Sequence, residues 1–391
     1  MRRAETIFFF APICGSKYTD VSAKSATHIA AATNKVLNLC KSVRTQKVSA
    51  VVIASPITTS NKEKIFTKPH ATFERGIPVF YLRTLTKKGL NRIFAAWGYL
   101  FAAKRICTCE GRKSAVFYNF FIEYTLALIL LKIMGIPAYL DVEDGPRADE
   151  KDFRGFVNRV SYWIISRLTV DRKLVASKKL AEKLKFDDYC VVYGAVSSNL
   201  TREKKASGGI KILYGGALMR DTGLDLFLDA LNNLSKCTLP SKLTFVVTGF
   251  ADRDLSNIPF NLTSSNIDVH LKLGCSRQEY LEELKTSFAS LALKLPSTEM
   301  GSTTYPSKTL EVAAEGLLLI STDVSDVGAV FTSGVNALIL EREDPLCLVR
   351  AIKSILEQPK RFEEIARAGR DLIMTEHSYQ AVGARLCRFL S

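Results

Sequence analysis

Short apolar runs alternate with helical periodicities along most of this chain. TIFFFAPI (6–13) is a continuous apolar run of strand length, and an apolar-periodic helix follows from about Ser22 to Val43. KVSAVVIASP (47–56), IPVFYLRTL (77–85), SAVFYN (114–119) and IPAYLDVED (136–144) predict further strands, with helical patterns before or after the last three. LVAS (174–177) and YCVVYGAV (189–196) close the first half. SSNLTREKKASGG (197–209) is polar and lysine-rich and reads as a linker. The alternation then restarts with IKILYGG, GLDLFLDALNNL, KLTFVVTGF, IDVHLKLG, RQEYLEELKTS and ASLALKLP. It ends with LLLISTDV, NALILER and two helical stretches, DPLCLVRAIKSILEQ and PKRFEEIARAGRDLIM.

Strands alternating with helices of this length predict an α/β fold of two doubly wound domains with parallel sheets. Ligands bind such sheets beyond the carboxyl ends of their strands, at the switch points. The loops expected to carry function are therefore 12–20, 143–148, 194–196, 214–223, 248–253, 273–277 and 296–308, around a cleft where the two domains meet.

Composition fits this frame and adds one asymmetry. The 391 residues suffice for two ordinary cores, and 47% are apolar. Residues 1–200 hold 32 Lys and Arg against 16 Asp and Glu, whereas residues 201–391 hold 22 against 23. The whole basic excess thus lies in the first half, a field that attracts anionic lipid, nucleic acid or a phosphorylated substrate. Nine cysteines without a CxxC pair (Cys107 and Cys109 are the nearest) and four scattered histidines argue against a zinc site or a disulfide framework, and favour free thiols in a reducing compartment. MRRAETIFFFAPICG imitates a secretory leader, but Glu5 and Pro12 interrupt it, and a buried first strand is expected. FFIEYTLALILLKIMGIPAYL is too short to span a membrane, because Glu123 and Lys132 bracket only eight residues.

The chemistry concentrates in GSTTYPSKTLEVAAEG (301–316). Leu310, Ala313, Ala314 and Leu317 make one apolar face of a helix whose start carries Pro306, Ser307 and Lys308. Ser307 is placed to cap it. A helix start with exposed N–H groups and a lysine is an anion site, and Glu311, one turn on, can accept hydrogen bonds from a vicinal diol such as ribose. Phosphate beside ribose describes a nucleotide. The same stretch also fits an ordinary helix with an acidic first turn and a solvated lysine.

YPSKTLEVAAEGLLLISTDV (305–324) resembles the signature of the retaining GT-B glycosyltransferases of family 4, of the bacterial surface-polysaccharide and lipid-linked glycan type. ILYGGALMRDTGLDLFLDAL (212–231), GVNALIL (334–340) and the last helical stretch, SYQAVGARLCRFL (378–390), fit the same spacing. The resemblance covers about 209–391 well, and 1–200 mainly by strand order. It implies two facing Rossmann-like domains. An acceptor-binding, membrane-facing domain spans 1–198, a linker 199–208, and a nucleotide-sugar-binding domain 209–376. Residues 377–391 form a helix crossing back onto the first domain.

Carried onto this chain, the resemblance places Glu311 on the ribose, Ser307 and Lys308 near the diphosphate, and Gly216, Gly249, Thr303, Thr304 and Thr309 around the donor. Gly15, Ser16 and Lys17 fall in the acceptor-side loop. Three positions depart from the pattern. The family's first glutamate, eight residues before Glu311, is here Thr303. Its phosphate-loop Arg and Lys are here Ala217 and Thr222, which leaves Arg220 as the substitute cation or as a plain surface arginine. A frequent histidine is replaced by Glu143-Asp144, which either contacts sugar hydroxyls or, through Asp144, caps the next segment. Asp141 and Glu143 also imitate a metal-binding DxD, but the resemblance implies no metal and no cofactor beyond the donor, a UDP-sugar being favoured over a GDP-sugar.

The expected reaction is transfer, with retention of configuration, from a nucleoside diphosphate sugar to a glycan or lipid-linked acceptor in cell-surface polysaccharide synthesis, with Arg220, Lys308, Glu143 and Asp144 as the catalytic candidates. A catalytically inactive nucleotide-sugar-binding protein and a sugar-nucleotide epimerase of the same fold are the alternatives. Nucleic acid is not an expected partner, because no helix-turn-helix, zinc or aromatic-basic pattern is present. An anionic membrane is expected, with the protein peripheral on its cytoplasmic side. LNRIFAAWGYLFAAKR (90–105) is the candidate surface, with an ordinary core helix as the other reading.

Overall fold

The computed structural model describes residues 5–15, 23–55, 66–85, 90–146, 152–197, 209–251 and 266–391. The chain divides into two compact units, Met1–Ala195 with Tyr379–Ser391, and Val196–Ser378.

The first unit contains β1 (Glu5–Ala11), β2 (Ser49–Ala54), β3 (Phe66–Thr67), β4 (His70–Glu74), β5 (Ile77–Tyr81), β6 (Thr84–Leu85), β7 (Arg112–Tyr118), β8 (Ala138–Val142), β9 (Lys173–Val175) and β10 (Tyr189–Val191). Its first helices are α1 (Ala23–Thr45), α2 (Leu90–Thr108), α3 (Thr125–Ile133), α4 (Phe153–Leu168) and α5 (Lys178–Leu184). Eight strands form one sheet in the order β10-β9-β8-β7-β1-β2-β5-β4, and β3 pairs with β6 separately. The continuous apolar run of β1 follows from its central place. Ile7 and Phe9 pack into one core with α1, while Phe8 and Phe10 pack into a second core with α2 and α3 on the opposite sheet face. The strand order reverses at β1, between β2 and β7.

The second unit contains β11 (Ile210–Leu218), β12 (Leu243–Ala251), β13 (Ile267–Leu273), β14 (Ala289–Ala292), β15 (Leu318–Thr322) and β16 (Leu338–Leu340). Its helices are α6 (Leu224–Ser235), α7 (Arg277–Thr286), α8 (Glu299–Thr303), α9 (Lys308–Ala314), α10 (Val327–Val330), α11 (Pro345–Glu357) and α12 (Pro359–Glu376). All six strands are parallel, in the order β13-β12-β11-β14-β15-β16, so the switch point lies at β11, between β12 and β14. Both units are thus doubly wound α/β domains with Rossmann-like sheets, parallel throughout in the second and parallel apart from the edge strand β4 in the first.

The last helix, α13 (Tyr379–Leu390), belongs to the first unit. It packs along α1, buries Val382, Leu386 and Leu390, and ends where the Tyr139 hydroxyl donates to the Leu390 carbonyl at 3.1 Å. At the base of the second unit, Val196 N–H donates to the His377 carbonyl at 2.9 Å, which ties the incoming chain to the outgoing one. The division therefore falls two residues after the expected 376/377 boundary.

Three local features differ from the pattern-based expectation. IPVFYLRTL is not one strand. It ends at Tyr81, and a hairpin precedes it: β4 runs antiparallel to β5 through Arg75 and Gly76, both at positive φ (51° and 81°). The stretch before Pro306 is not only loop but holds the short helix α8. Ser307 does not cap α9, because it is itself helical (φ −52°, ψ −21°) and its side chain makes no capping bond. The nine cysteines are all free, with Cys40, Cys190 and Cys347 buried. Among the described residues no helix is long and apolar enough to cross a membrane.

Candidate functional site

The second unit's switch point has a glycine floor. Gly215 and Gly216 lie in the carboxyl-terminal half of β11, in register with Thr248 and Gly249 of β12. Gly249 has φ +117°, and a Cβ there would stand 2.0 Å from the Gly216 carbonyl oxygen. Gly216 has φ +116°, and a Cβ there would stand 2.7 Å from Lys308 Nζ. Small residues at these positions let the lysine reach the strand ends. Its ammonium donates to the Gly215 carbonyl and lies 5.2 Å from the centre of the Tyr280 ring. Burial pulls its pKa down to about 8, with the Glu311 carboxylate opposing the fall.

Glu311 sits one turn further along α9. One carboxylate oxygen accepts from the Arg277 guanidinium, and the other accepts from the Tyr280 hydroxyl at 3.3 Å. Arg277 also stacks on Tyr280, 5.3 Å from its ring centre. The local sequence explains this. Ser276 caps α7 in a reciprocal box with Glu279, so Arg277 and Tyr280, three residues apart, project from its first turn on one side. Burial and then the nearby Glu311 charge raise the Tyr280 pKa far above its ordinary value, keeping the phenol a donor. Glu315, the next turn of the chain, is pushed up to about 7 by burial and then by Glu311. The Thr248 hydroxyl is buried in the floor beside Gly215, without a hydrogen-bond partner among the described residues.

The positive end of α9 contributes less than its sequence suggests. Thr309 N–H donates to the Pro306 carbonyl at 2.9 Å and Leu310 N–H to Ser307 at 3.2 Å, so these amides are already engaged. Local positive charge is carried by Lys308 and Arg277 instead. Thr309 stands apart from them: it is fully buried, with its hydroxyl bonded to the Pro306 carbonyl and to the Tyr305 hydroxyl. Ser307 is exposed, Thr303 is buried at the end of α8, and the Thr304 carbonyl accepts from Lys294 at 3.4 Å. Arg220 opens a single 3-10 turn, Arg220–Thr222, pinned by Thr222 Oγ1 accepting from Met219 N–H at 2.9 Å. The Arg220 side chain is exposed and among the described residues makes no hydrogen bond or ion pair.

In the first unit, Asp141 and Glu143 both bond to Lys35, which reaches Asp141 at 3.3 Å. Burial pulls the Lys35 pKa down while Asp141 pushes it back up. A lysine ammonium thus engages both carboxylates of the DxD-like pair, and Glu143, partly buried, is an ion-pair partner rather than a free acceptor for sugar hydroxyls. Its own N–H donates to Asn119 Oδ1 at 3.2 Å. Asp144 follows it at the end of β8 and is half-buried. Gly15 is buried against Glu74 and Tyr81, where a Cβ would stand 1.9 Å from Glu74 Oε1. Ser16 and Lys17 lie outside the described residues.

Four side chains in these clusters escape the sequence reading: Arg277, Tyr280, Lys35 and Asn119. RQEYLEELKTS reads as a plain amphipathic helix. The one local signal is Ser276 with Glu279, which marks the helix start and hence where Arg277 points.

Residues 243–388 match a protein-family model described as glycosyl transferase-like. No curated protein sequence matches the chain. Among solved structures, a sucrose-phosphate synthase from Thermosynechococcus elongatus superposes with a TM-score of 0.64 at 12% identity, covering 98% of both chains. The HepE protein of Anabaena in complex with UDP and glucose gives 0.64 at 12% identity, covering 98% of this chain and 99% of that one. A lipopolysaccharide outer core galactosyltransferase, WaaB, gives 0.59 at 10% identity over 98% of each chain. The fold of this chain is that of the GT-B glycosyltransferase structures.

Proposed function

We propose that this chain is a glycosyltransferase that takes its sugar from a nucleoside diphosphate sugar held by the second unit. The observation that carries the reading is the meeting of Glu311, Arg277, Tyr280 and Lys308 over the glycine floor at the β11 switch point. A carboxylate with two donors around it can exchange one of them for ribose hydroxyls, and the released Arg277 then faces an anionic ligand together with Lys308. The glycosyl transferase-like match covers Arg277, Tyr280, Lys308 and Glu311, and HepE, of like fold, is described in complex with UDP and glucose. These support UDP-sugars ahead of GDP-sugars.

Lys308 and Arg277, with exposed Arg220 able to join them, offset the charge that develops on the diphosphate as the anomeric bond breaks. The departing phosphate takes the proton from the acceptor hydroxyl, which attacks on the same face, so configuration is retained and no protein base is needed. With cations supplied by the chain, the transfer proceeds without a metal. The acceptor is a glycan or lipid-linked glycan of cell-surface polysaccharide assembly, received by the first unit. Glu143 acts there through its pairing with Lys35, beside Asp144.

The test is to incubate the protein with UDP- and GDP-sugars and glycan acceptors, follow nucleotide release, and determine the anomeric configuration of the product by NMR. Release of UDP with a retained anomer is expected. Nucleotide binding without turnover on any acceptor would contradict the transferase reading in favour of a binding protein. An epimerised donor formed without acceptor would point to an epimerase, and an inverted anomer would overturn retention.

A further inference from the structure

Helices α2, α3 and α4 all bury one side against the same face of the first unit's sheet, with Tyr99, Leu128 and Ile165 in one core. α3 packs against both of the others. Their opposite sides share an outer surface, and that surface is apolar. On α2, Ile93, Trp97 and Phe101 recur four residues apart, with Trp97 at 52% and Phe101 at 62% exposure. On α3, Ile129 and Ile133 do the same, Ile133 at 76%. On α4, Phe153, Phe156 and Trp163 follow the helical repeat, at 79%, 56% and 55%. Scattered exposed apolar residues are ordinary, but three adjacent helices with aligned stripes are not.

Charge selects the occupant. The three helices contain seven Lys and Arg and no Asp or Glu. Lys104, Arg105, Lys132, Arg159 and Arg167 are exposed beside the stripes, and Arg92, also exposed, pairs with Glu123 at 3.3 Å. The Arg167 guanidinium lies 4.2 Å from the centre of the Trp163 ring, an aromatic–cation pair suited to a headgroup layer. Lys132 Nζ donates to the Arg167 carbonyl at 3.1 Å, which ties the end of α3 to the end of α4 and makes the surface one piece.

We infer that this α2–α3–α4 surface docks on an anionic lipid bilayer, its Trp and Phe side chains entering the interface and its cations pairing with headgroups. Sequence alone offers only α2 as a candidate; the larger surface appears when the sheet brings α3 and α4 beside it. The inference stands apart from the donor site, which lies in the other unit.

Trp97 and Trp163 are the only two tryptophans of the chain, so intrinsic emission reads this surface directly. Vesicles of phosphatidylcholine mixed with phosphatidylglycerol should shift the emission to the blue and shield it from acrylamide, and added salt should weaken the effect. The combined variant Phe101→Ser, Ile133→Ser, Phe153→Ser keeps both reporters and should weaken vesicle binding roughly tenfold or more with an unchanged circular dichroism spectrum. Lys104→Glu with Arg105→Glu should do so by roughly tenfold as well. No emission change with anionic vesicles would overturn the inference, as would equal binding to pure phosphatidylcholine. A blue shift that grows with protein concentration in the absence of lipid, together with a dimer mass, would instead assign the surface to a second copy of the chain.

Discussion

Lys308 makes a specific demand on pH. Its ammonium is packed against Tyr280 and under Gly215, and burial lowers its pKa to about 8, below the ordinary lysine value. Between that value and the lysine range, the unfolded chain binds more protons than the folded one, so this group's contribution to stability rises with pH across that window. Its effect on a diphosphate runs the other way, because only the protonated form attracts it. UDP affinity, measured by calorimetry from about pH 7 to about pH 9.5, should fall across that window, and Lys308→Met should remove the slope along with part of the affinity. A flat profile in the unaltered protein would show that Lys308 does not meet the phosphates.

Lys308 and Glu311 were legible in the sequence because one helical turn holds them together. Arg277 and Tyr280 were not, since they lie 34 and 31 residues from Glu311 and meet it only when α7 and α9 are set beside β11. Lys35, 106 residues from Asp141, escaped for the same reason, and with it the fact that the DxD-like pair is already paired.

At the scale of elements, the buried strands were the most legible parts. A parallel strand covered on both faces must be apolar throughout, and TIFFFAPI and LLLIST both have that pattern. The elements that escaped lack that constraint. β4 is an edge strand with partly exposed residues on both sides, and α8 is a short turn containing Gly301. α13 was legible as a helix, and its contact with α1 explains its apolar stripe. Leu386 is fully buried there, so Leu386→Ala should cost about 2–5 kcal/mol in the unfolding of the first unit. Both tryptophans belong to that unit, so urea unfolding followed by their emission measures it. An unchanged midpoint would mean that α13 is not part of its core.

Across the whole molecule, the basic excess of residues 1–200 and the nearly neutral balance of 201–391 match a division of labour between the two units. The second unit needs only local charge, because Lys308 and Arg277 stand at the strand ends where a doubly wound sheet offers its ligand site. The first spreads its charge over an outer surface. Both units follow the same strand logic, with a reversal beside the central strand; the second places a glycine floor, two cations and a carboxylate there together. Sequence pattern predicted the duplication of the fold, and the resemblance pointed to the second half for the donor; the partners of Glu311 come together only on folding.

The central claim is that the second unit grips a nucleoside diphosphate through Glu311, and the most direct measurement is calorimetric titration of UDP into the intact protein and into Glu311→Ala. Glu311 is partly exposed, at 25% of its side chain, so its loss should leave the fold and the melting temperature nearly unchanged. Saturable binding by the unaltered protein, weakened roughly tenfold or more in the folded variant, is the predicted result. Equal affinity in the two proteins, or no binding of any nucleoside diphosphate by the unaltered one, would contradict the account.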